Sequence, residues 1–318
     1  MRWVLAAVAL CWALPAAGQA GFRWVEEKGA LRLTYRGRPL LQYNCELVPP
    51  PKGVSQAFAR NAYLHPVWNT AGQIVTGDFP RDHRHQRGIF LAWTKTQFGN
   101  LHPDFWNLGS LTGRVRFEAV EEKDAGESQA TLLVRHIWQA REGQRWIPVL
   151  RERWRIVVYP PPPGASWWYM DLTSEQQLVG QTPLVLPQYR YGGMAYRGSN
   201  EWIDNPQTVV VLTSEGKGRQ EADNSTARWC LMGGALGEGW GGATLMDHPQ
   251  NPRFPNRLRV HPKVPYFGFM LPKSGQFVIR PGETLVLRYR IVVHSAQPKS
   301  AELDRLWEQF SRKPQGQR

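Results

Sequence analysis

Between Arg145 and Tyr159 the chain alternates: Trp154, Ile156 and Val158 are apolar, and Arg153 and Arg155 between them are charged. A period of two over so long a run turns one face of an extended strand to a core and the other to solvent. Strand signals recur at residues 23–26, 31–35, 40–47, 114–120, 131–139, 167–173, 208–213, 227–232 and 243–246. A further alternating run, Thr284–His294, follows the turn Arg280-Pro281-Gly282-Glu283. Only residues 301–312 read as helix, with Leu303, Leu306, Trp307 and Phe310 at helical spacing and Ser300 as N-cap. Long strands with so little helix predict an all-β fold, a large antiparallel β-supersandwich with a short C-terminal helix. The run Pro160-Pro161-Pro162-Pro163-Gly164 joins two strands and reads as a rigid connection inside one domain. No internal repeat is evident.

The start of the chain has a different character. Arg2, the apolar run Trp3 to Leu14, and Pro15-Ala16-Ala17-Gly18-Gln19-Ala20 read as a secretory signal cleaved after Ala20. The expected organisation is a signal peptide over 1–20, a single β-sandwich domain over 21–312 and a disordered tail over 313–318. Leu10 before Cys11 argues against a lipoprotein signal, and no later segment is long enough to span a membrane. The expected location is therefore periplasmic or extracellular. Cys45 and Cys230 remain after cleavage; in an oxidising compartment they could pair or stay buried thiols.

The formal net charge of +13 comes mainly from arginines scattered along strands, such as Arg151, Arg153, Arg155, Arg288 and Arg290. Export and the absence of a basic run argue against nucleic acid as partner. A carbohydrate ligand, neutral or anionic, fits better. The sequence is silent on oligomeric state.

Chemistry concentrates between Tyr63 and Trp93. His65, Asp78, Asp82, His83, His85 and Arg87 lie among Pro66, Gly72, Gly77, Pro80 and Gly88, and the apolar run Ile89 to Trp93 follows. Titratable groups on a punctuated loop feeding a buried strand are how a rigid scaffold presents a site. On an extended segment His83 and His85 point the same way. With His65 they could hold a divalent metal, but acid–base work without a cofactor is the preferred reading.

A second polar cluster holds Asp247, His248, Asn251 and Arg253, and a third holds Tyr191, Gly192, Gly193, Tyr196 and Arg197. The paired glycines would let backbone approach a ligand. Trp93, Trp138 and Trp154 are expected in the core. Trp68, Trp106 and Trp202, in polar settings, are candidates for ligand contact.

With these loops the chain resembles the secreted bacterial proteins of the PmoA-like, or methane oxygenase PmoA, family. The matching residues are Tyr63-Leu64-His65-Pro66, the run from Val75 to Gly88, Phe105-Trp106-Asn107, Tyr191-Gly192-Gly193, Tyr196-Arg197-Gly198, Asp247-His248-Pro249, Asn251-Pro252-Arg253 and Leu287-Arg288-Tyr289-Arg290. Gln86 departs from a frequent histidine. That label implies a metal-dependent oxidoreductase. The fold resembles the galactose-mutarotase-like supersandwich, which implies sugar chemistry by His and carboxylate residues.

The expected function is thus carbohydrate processing by an exported protein, as hydrolase, lyase or epimerase. His83 and His85 would act as acid and base, with Asp78, Asp82 or Asp247 as partner carboxylates. His65, Arg87, Trp106, Tyr191, Tyr196, Arg197, His248, Asn251 and Arg253 would bind substrate. A non-catalytic sugar-binding module is the other alternative. One expectation is topological: the loops 76–88 and 247–256 should line one pocket.

Overall fold

The computed structural model describes residues 20–312, so the signal-peptide reading of 1–20, apart from Ala20, and the tail 313–318 lie outside the described residues. In chain order the strands are β1 (Phe22–Glu27), β2 (Ala30–Tyr35), β3 (Arg38–Asn44), β4 (Leu64–Val67), β5 (Ile89–Ala92), β6 (Gln97–Phe98), β7 (Gly113–Ala125), β8 (Ala130–Glu142), β9 (Arg145–Tyr159) and β10 (Trp167–Leu178). There follow β11 (Leu184–Leu186), β12 (Gly193–Arg197), β13 (Val209–Thr213), the short helix α1 (Arg219–Ala222), β14 (Trp229–Leu236), β15 (Gly239–Asp247), β16 (Arg257–Val260), β17 (Tyr266–Met270), β18 (Phe277–Ile279), β19 (Thr284–His294) and helix α2 (Ser300–Arg312).

Two eight-stranded antiparallel sheets form the sandwich. The first runs β1-β2-β3-β4-β5-β12-β17-β16, the second β13-β14-β15-β19-β10-β9-β8-β7, and β18-β11-β6 make a small third sheet. The all-β supersandwich reading holds. In β9, Trp154, Ile156 and Val158 are buried while Arg153 and Arg155 are exposed, so the sequence period is the packing period. The proline run joins β9 to β10, which pair directly.

Both sheets contribute to one core. Ile89, Leu91, Met194, Tyr196, Phe267 and Phe269 from the first sheet share it with Leu132, Ile156, Leu172 and Ile291 from the second. Trp93, Trp138 and Trp154 lie in it as expected. α2 covers the outer face of the second sheet, where Leu303, Leu306 and Phe310 pack on Trp229, Leu231, Met246 and Val292. Arg290, paired with Asp171 at 2.7 and 2.9 Å, also donates to the Leu306 carbonyl and anchors the helix. Among the described residues no helix is long and apolar enough to cross a membrane. Cys45 and Cys230 are free thiols, and burial raises both above the usual thiol range.

Strand alternation also fixes what the first sheet turns away from the core. Phe90 and Ala92 of β5, Ala195 and Arg197 of β12, and Tyr266 and Met270 of β17 are cross-strand neighbours on its outer face. Phe90, Ala92, Ala195, Tyr266 and Met270 form a second apolar cluster with Tyr63 and Trp106, separate from the main core. The loop between β4 and β5 lies beside this face, as the contacts of its side chains show.

Candidate functional site

The backbone of residues 76–88 is tied to β12. Gly77 N donates to the Arg197 carbonyl at 2.9 Å, Arg197 N to that of Gly88 at 2.8 Å, and Gly88 N to that of Gly77 at 2.8 Å. A Cβ on Gly88 would lie 2.0 Å from the Leu64 carbonyl, and its φ of +52° is left-handed, so glycine is required there. Two ion pairs then fix the loop's side chains. Arg87, fully buried, binds Asp78 through Nε and, at 3.0 Å, through Nη2. It also donates to the Tyr63 hydroxyl and the Phe58 carbonyl, and it lies against the Phe79 ring. Arg197 holds both oxygens of Asp82 at 2.8 and 3.0 Å and donates to Gln86 Oε1 at 2.9 Å. Burial works against ionisation of Asp82, but His83 and Arg197 outweigh it and hold its carboxyl well below the usual range.

Between these pairs the loop presents its imidazoles. His83 packs edge-on against His85, with centroids 5.8 Å apart, and against His261, 5.2 Å away. His83 Nδ1 is 3.7 Å from Asp82, near enough for charge attraction but beyond hydrogen-bond reach. His261 accepts the amides of Lys263 and Val264 on Nδ1, which leaves Nε2 as its other ring nitrogen. Burial, then the charge of His83, lowers both His85 and His261 to about 4, so both are neutral near pH 7.

An aromatic wall adjoins the histidines. Phe90, Trp106, Tyr191 and Tyr266 form a connected set of ring contacts at 4.9 to 6.1 Å. Arg60 lies over Phe90 at 4.7 Å and Arg259 over Tyr191 at 5.3 Å. Arg259 also pairs with Asp223 at 2.8 Å. Beyond the Arg87–Asp78 pair a cleft of about 330 Å³ opens, lined by Lys28, Gln42, Asn44, Glu46, His65 and Asp78 among others.

The structure therefore gathers His83, His85, Asp82, Arg197, Trp106 and Tyr191, and sets Asp78 and His65 at the adjoining cleft. It does not gather the remaining candidates. Tyr196 points into the core and donates to the Val75 carbonyl at 2.6 Å. Arg87 has every nitrogen committed inside the protein. Gly192 and Gly193 give their open side to Pro272 and to the Phe269 carbonyl rather than to a ligand.

The expectation that loops 76–88 and 247–256 share a pocket is overturned. Asp247 is wholly buried at the end of β15 and accepts from Asn251 Nδ2, Asn256 N and Asn256 Nδ2 at 2.7, 2.8 and 3.1 Å. Burial raises it to about 6 despite these bonds. His248 packs on Phe310 of α2, on the outer side of the other sheet, and Asn251 bridges to Arg288. Arg253 donates to the carbonyls of Leu271, Gly275 and Gln276. This loop is a self-capped Asx turn that seats the helix.

The proposed metal set is not brought together either. His65 bonds Thr76 at 2.9 Å, away from the His83 contacts, and among the described residues no three His, Cys, Asp or Glu side chains are arranged to hold an ion. Of the tryptophan candidates only Trp106 reaches the site. Trp202 is buried against Gly198 and donates to the Ala235 carbonyl, and Trp68 lies under Arg32. Sequence reasoning missed His261, Arg259 and Tyr266. The signal for Arg259 and His261 was the phase of β16: Leu258 and Val260 face the core, which turns Arg259 and His261 outward, whereas β17, apolar throughout, gave none for Tyr266. Arg60, on an irregular segment, gave no signal.

The family of unknown function DUF6807 matches residues 30–308, and the chain belongs to that family. No curated protein matches it. Similar solved structures include the heparan sulfate lyase HepC from Pedobacter heparinus and a mutant of it. The mutant aligns at TM-score 0.43 and 10% identity over 90% of this chain and 38% of that chain. The other aligns at TM-score 0.39 and 10% identity over 90% and 37%. The chain thus spans little more than a third of those proteins' length.

Proposed function

We propose that this DUF6807 member is an exported enzyme acting on an acidic carbohydrate across the outer face of its first sheet. The observation that carries this reading is the contact of three imidazoles, His83, His85 and His261, among Arg60, Arg197 and Arg259 and beside an aromatic wall. Aromatic faces suit the apolar side of a pyranose, and guanidinium groups suit a carboxylate or sulfate on it.

The protonation pattern favours proton transfer at carbon over glycosidase chemistry. A glycosidase needs two carboxyl groups free to serve as acid and as base or nucleophile. Here Asp78 is held by Arg87 and Asp82 by Arg197. Neutral imidazoles are the available bases. One would remove the proton α to a uronate carboxylate, while the guanidinium groups stabilise the enolate that forms. Delivery of that proton from the newly formed imidazolium to the departing C4 oxygen substituent would make the reaction an elimination. Return of the proton to the opposite face would make it an epimerisation.

The test is a panel of uronate-containing and neutral polysaccharides offered to the mature protein. Expected is product from the acidic members only, seen as ultraviolet absorbance of a new C4–C5 double bond or as solvent deuterium at C5. In His83→Ala, whose side chain is partly exposed, we expect a nearly parental thermal midpoint and a rate loss of about two to four orders of magnitude. Turnover confined to neutral glycans, or binding of glycans with no turnover, would reject the reading; the latter would leave a sugar-binding module.

A further inference from the structure

Most arginines on this face have a carboxylate: Arg87 has Asp78, Arg197 has Asp82 and Arg259 has Asp223. Arg60 has none among the described residues. Its side chain is 2% exposed, and it makes one hydrogen bond, from Nη2 to the Leu91 carbonyl at 3.2 Å. Nε and Nη1 are buried with no partner. The carboxylate that favours its charge, Glu152, belongs to the core between the sheets, and its oxygens already accept from His136, Trp138, Trp154, Ser174 and Gln176.

A buried guanidinium without a counter-charge is costly and is seldom retained for stability. Its setting points to a reason. Arg60 is close enough to His85 to act on its titration, and it lies on the Phe90 ring at the start of the aromatic wall. Further along that wall the Tyr266 hydroxyl is also buried and unpartnered, as are Gln86 Nε2 and Arg197 Nε beside the histidines. Unsatisfied donors are thus grouped around the imidazoles, with no acceptor assigned to them.

We infer that Arg60 is the counter-charge for an acidic group of the ligand, a uronate carboxylate or a sulfate ester, seated between Arg60 and His85. The inference rests on the reading of this face as a glycan site and adds which residue selects for the acid. Placing an anion there completes the hydrogen bonding of Nε and Nη1 and relieves the positive field on His85, making that imidazole a stronger base once the ligand is bound.

The experiment follows the thermal midpoint of the whole mature protein during titration with glucuronate, inorganic sulfate and, as neutral control, glucose. Wild type should be stabilised by at least one of the two anions and not by glucose; the stronger anion identifies carboxylate or sulfate. Arg60→Met, which keeps a similar apolar stem without the charge, should fold with an unlowered midpoint and bind that anion roughly 10- to 100-fold more weakly. Should Arg60→Met fail to fold, Arg60→Lys decides: a weakened anion response supports the seat, and an unchanged one rejects it. No anion response in wild type, or the same response in Arg60→Met, would also overturn the inference. Glycan turnover that survives Arg60→Met would remove Arg60 while leaving the proposed function. An Arg60-dependent anion response without turnover of any glycan would do the reverse.

Discussion

Burial, reinforced by nearby positive charge, holds His85 and His261 at about 4, and burial alone brings the wholly enclosed His294 to about 3. Unfolded, these imidazoles titrate near 6.5. Across the interval the unfolded chain binds protons that the folded chain refuses. The associated stability is complete above about pH 6.5 and is lost as the pH falls toward 4. Asp247, raised to about 6, acts oppositely: its contribution is present below 3.8 and lost as the pH rises through 6. Three imidazoles against one carboxylate predict a midpoint that falls between pH 6.5 and 4, and one that stayed level would refute the burial assigned to them. If His85 or His261 is the base, the acid limb of kcat/KM should also lie near pH 4. An acid limb near 6.5 would mean that the working imidazole is neither of these. The sequence displayed His83 and His85 because they crowd one punctuated loop. It concealed His261, which reaches them only because β16 pairs with β17.

The strands that sequence reading found and those it missed differ in what lies on their two faces. β9 has one solvent face and announces itself by alternation; β19 keeps a partly exposed face only from Thr284 to Arg288, and its alternation of Leu, Tyr and Ile with Val and Arg is legible although helix α2 covers the rest. β12 and β17 are buried at every position, so no period survives, and Gly192, Gly193 and Gly198 around Met194-Ala195-Tyr196-Arg197 made a central strand resemble a loop. A charge can hide the same way. Glu152 occupies the buried phase of β9 with Trp154 and Ile156, and it is 1% exposed. Burial opposes its ionisation, yet His136 above all, with Ser174 and Gln176, keeps its carboxyl below the usual range. Its Oε1 accepts from Trp154, Ser174 and Gln176, and Oε2 from His136 and Trp138, at 2.6 to 3.0 Å. The network continues from His136 to the Tyr43 hydroxyl of β3 at 2.6 Å, and from Gln176 to Trp93 after β5. It therefore ties the second sheet to the first directly behind the site. Glu152→Gln keeps the shape but turns an amide NH₂ toward donors. We expect a loss of about 3 kcal/mol or more in chemical denaturation. A loss under about 1 kcal/mol would show that the carboxylate is not the hub of the network.

The sheets are braided along the chain. The first draws on residues 22–92, 193–197 and 257–270, the second on 113–178, 209–247 and 284–294. No cut leaves one sheet on one fragment and the other on the second, and the Pro160 to Gly164 run, the most linker-like stretch in the sequence, separates two strands bonded along their length. The Tyr43–His136–Glu152–Gln176–Trp93 connection and the shared apolar core then require both sheets to form together. We propose on this ground that residues 21–312 unfold as one cooperative unit. Tryptophan fluorescence reports the inter-sheet core through Trp93, Trp138 and Trp154, and far-ultraviolet circular dichroism reports strand content throughout. The two should give coincident denaturation curves with one midpoint. With both cysteines free, a reducing agent should leave that midpoint unchanged. Fluorescence lost at lower denaturant than strand signal would mean that the sheets part before they melt, and the site, built on the first sheet alone, could then outlast the second.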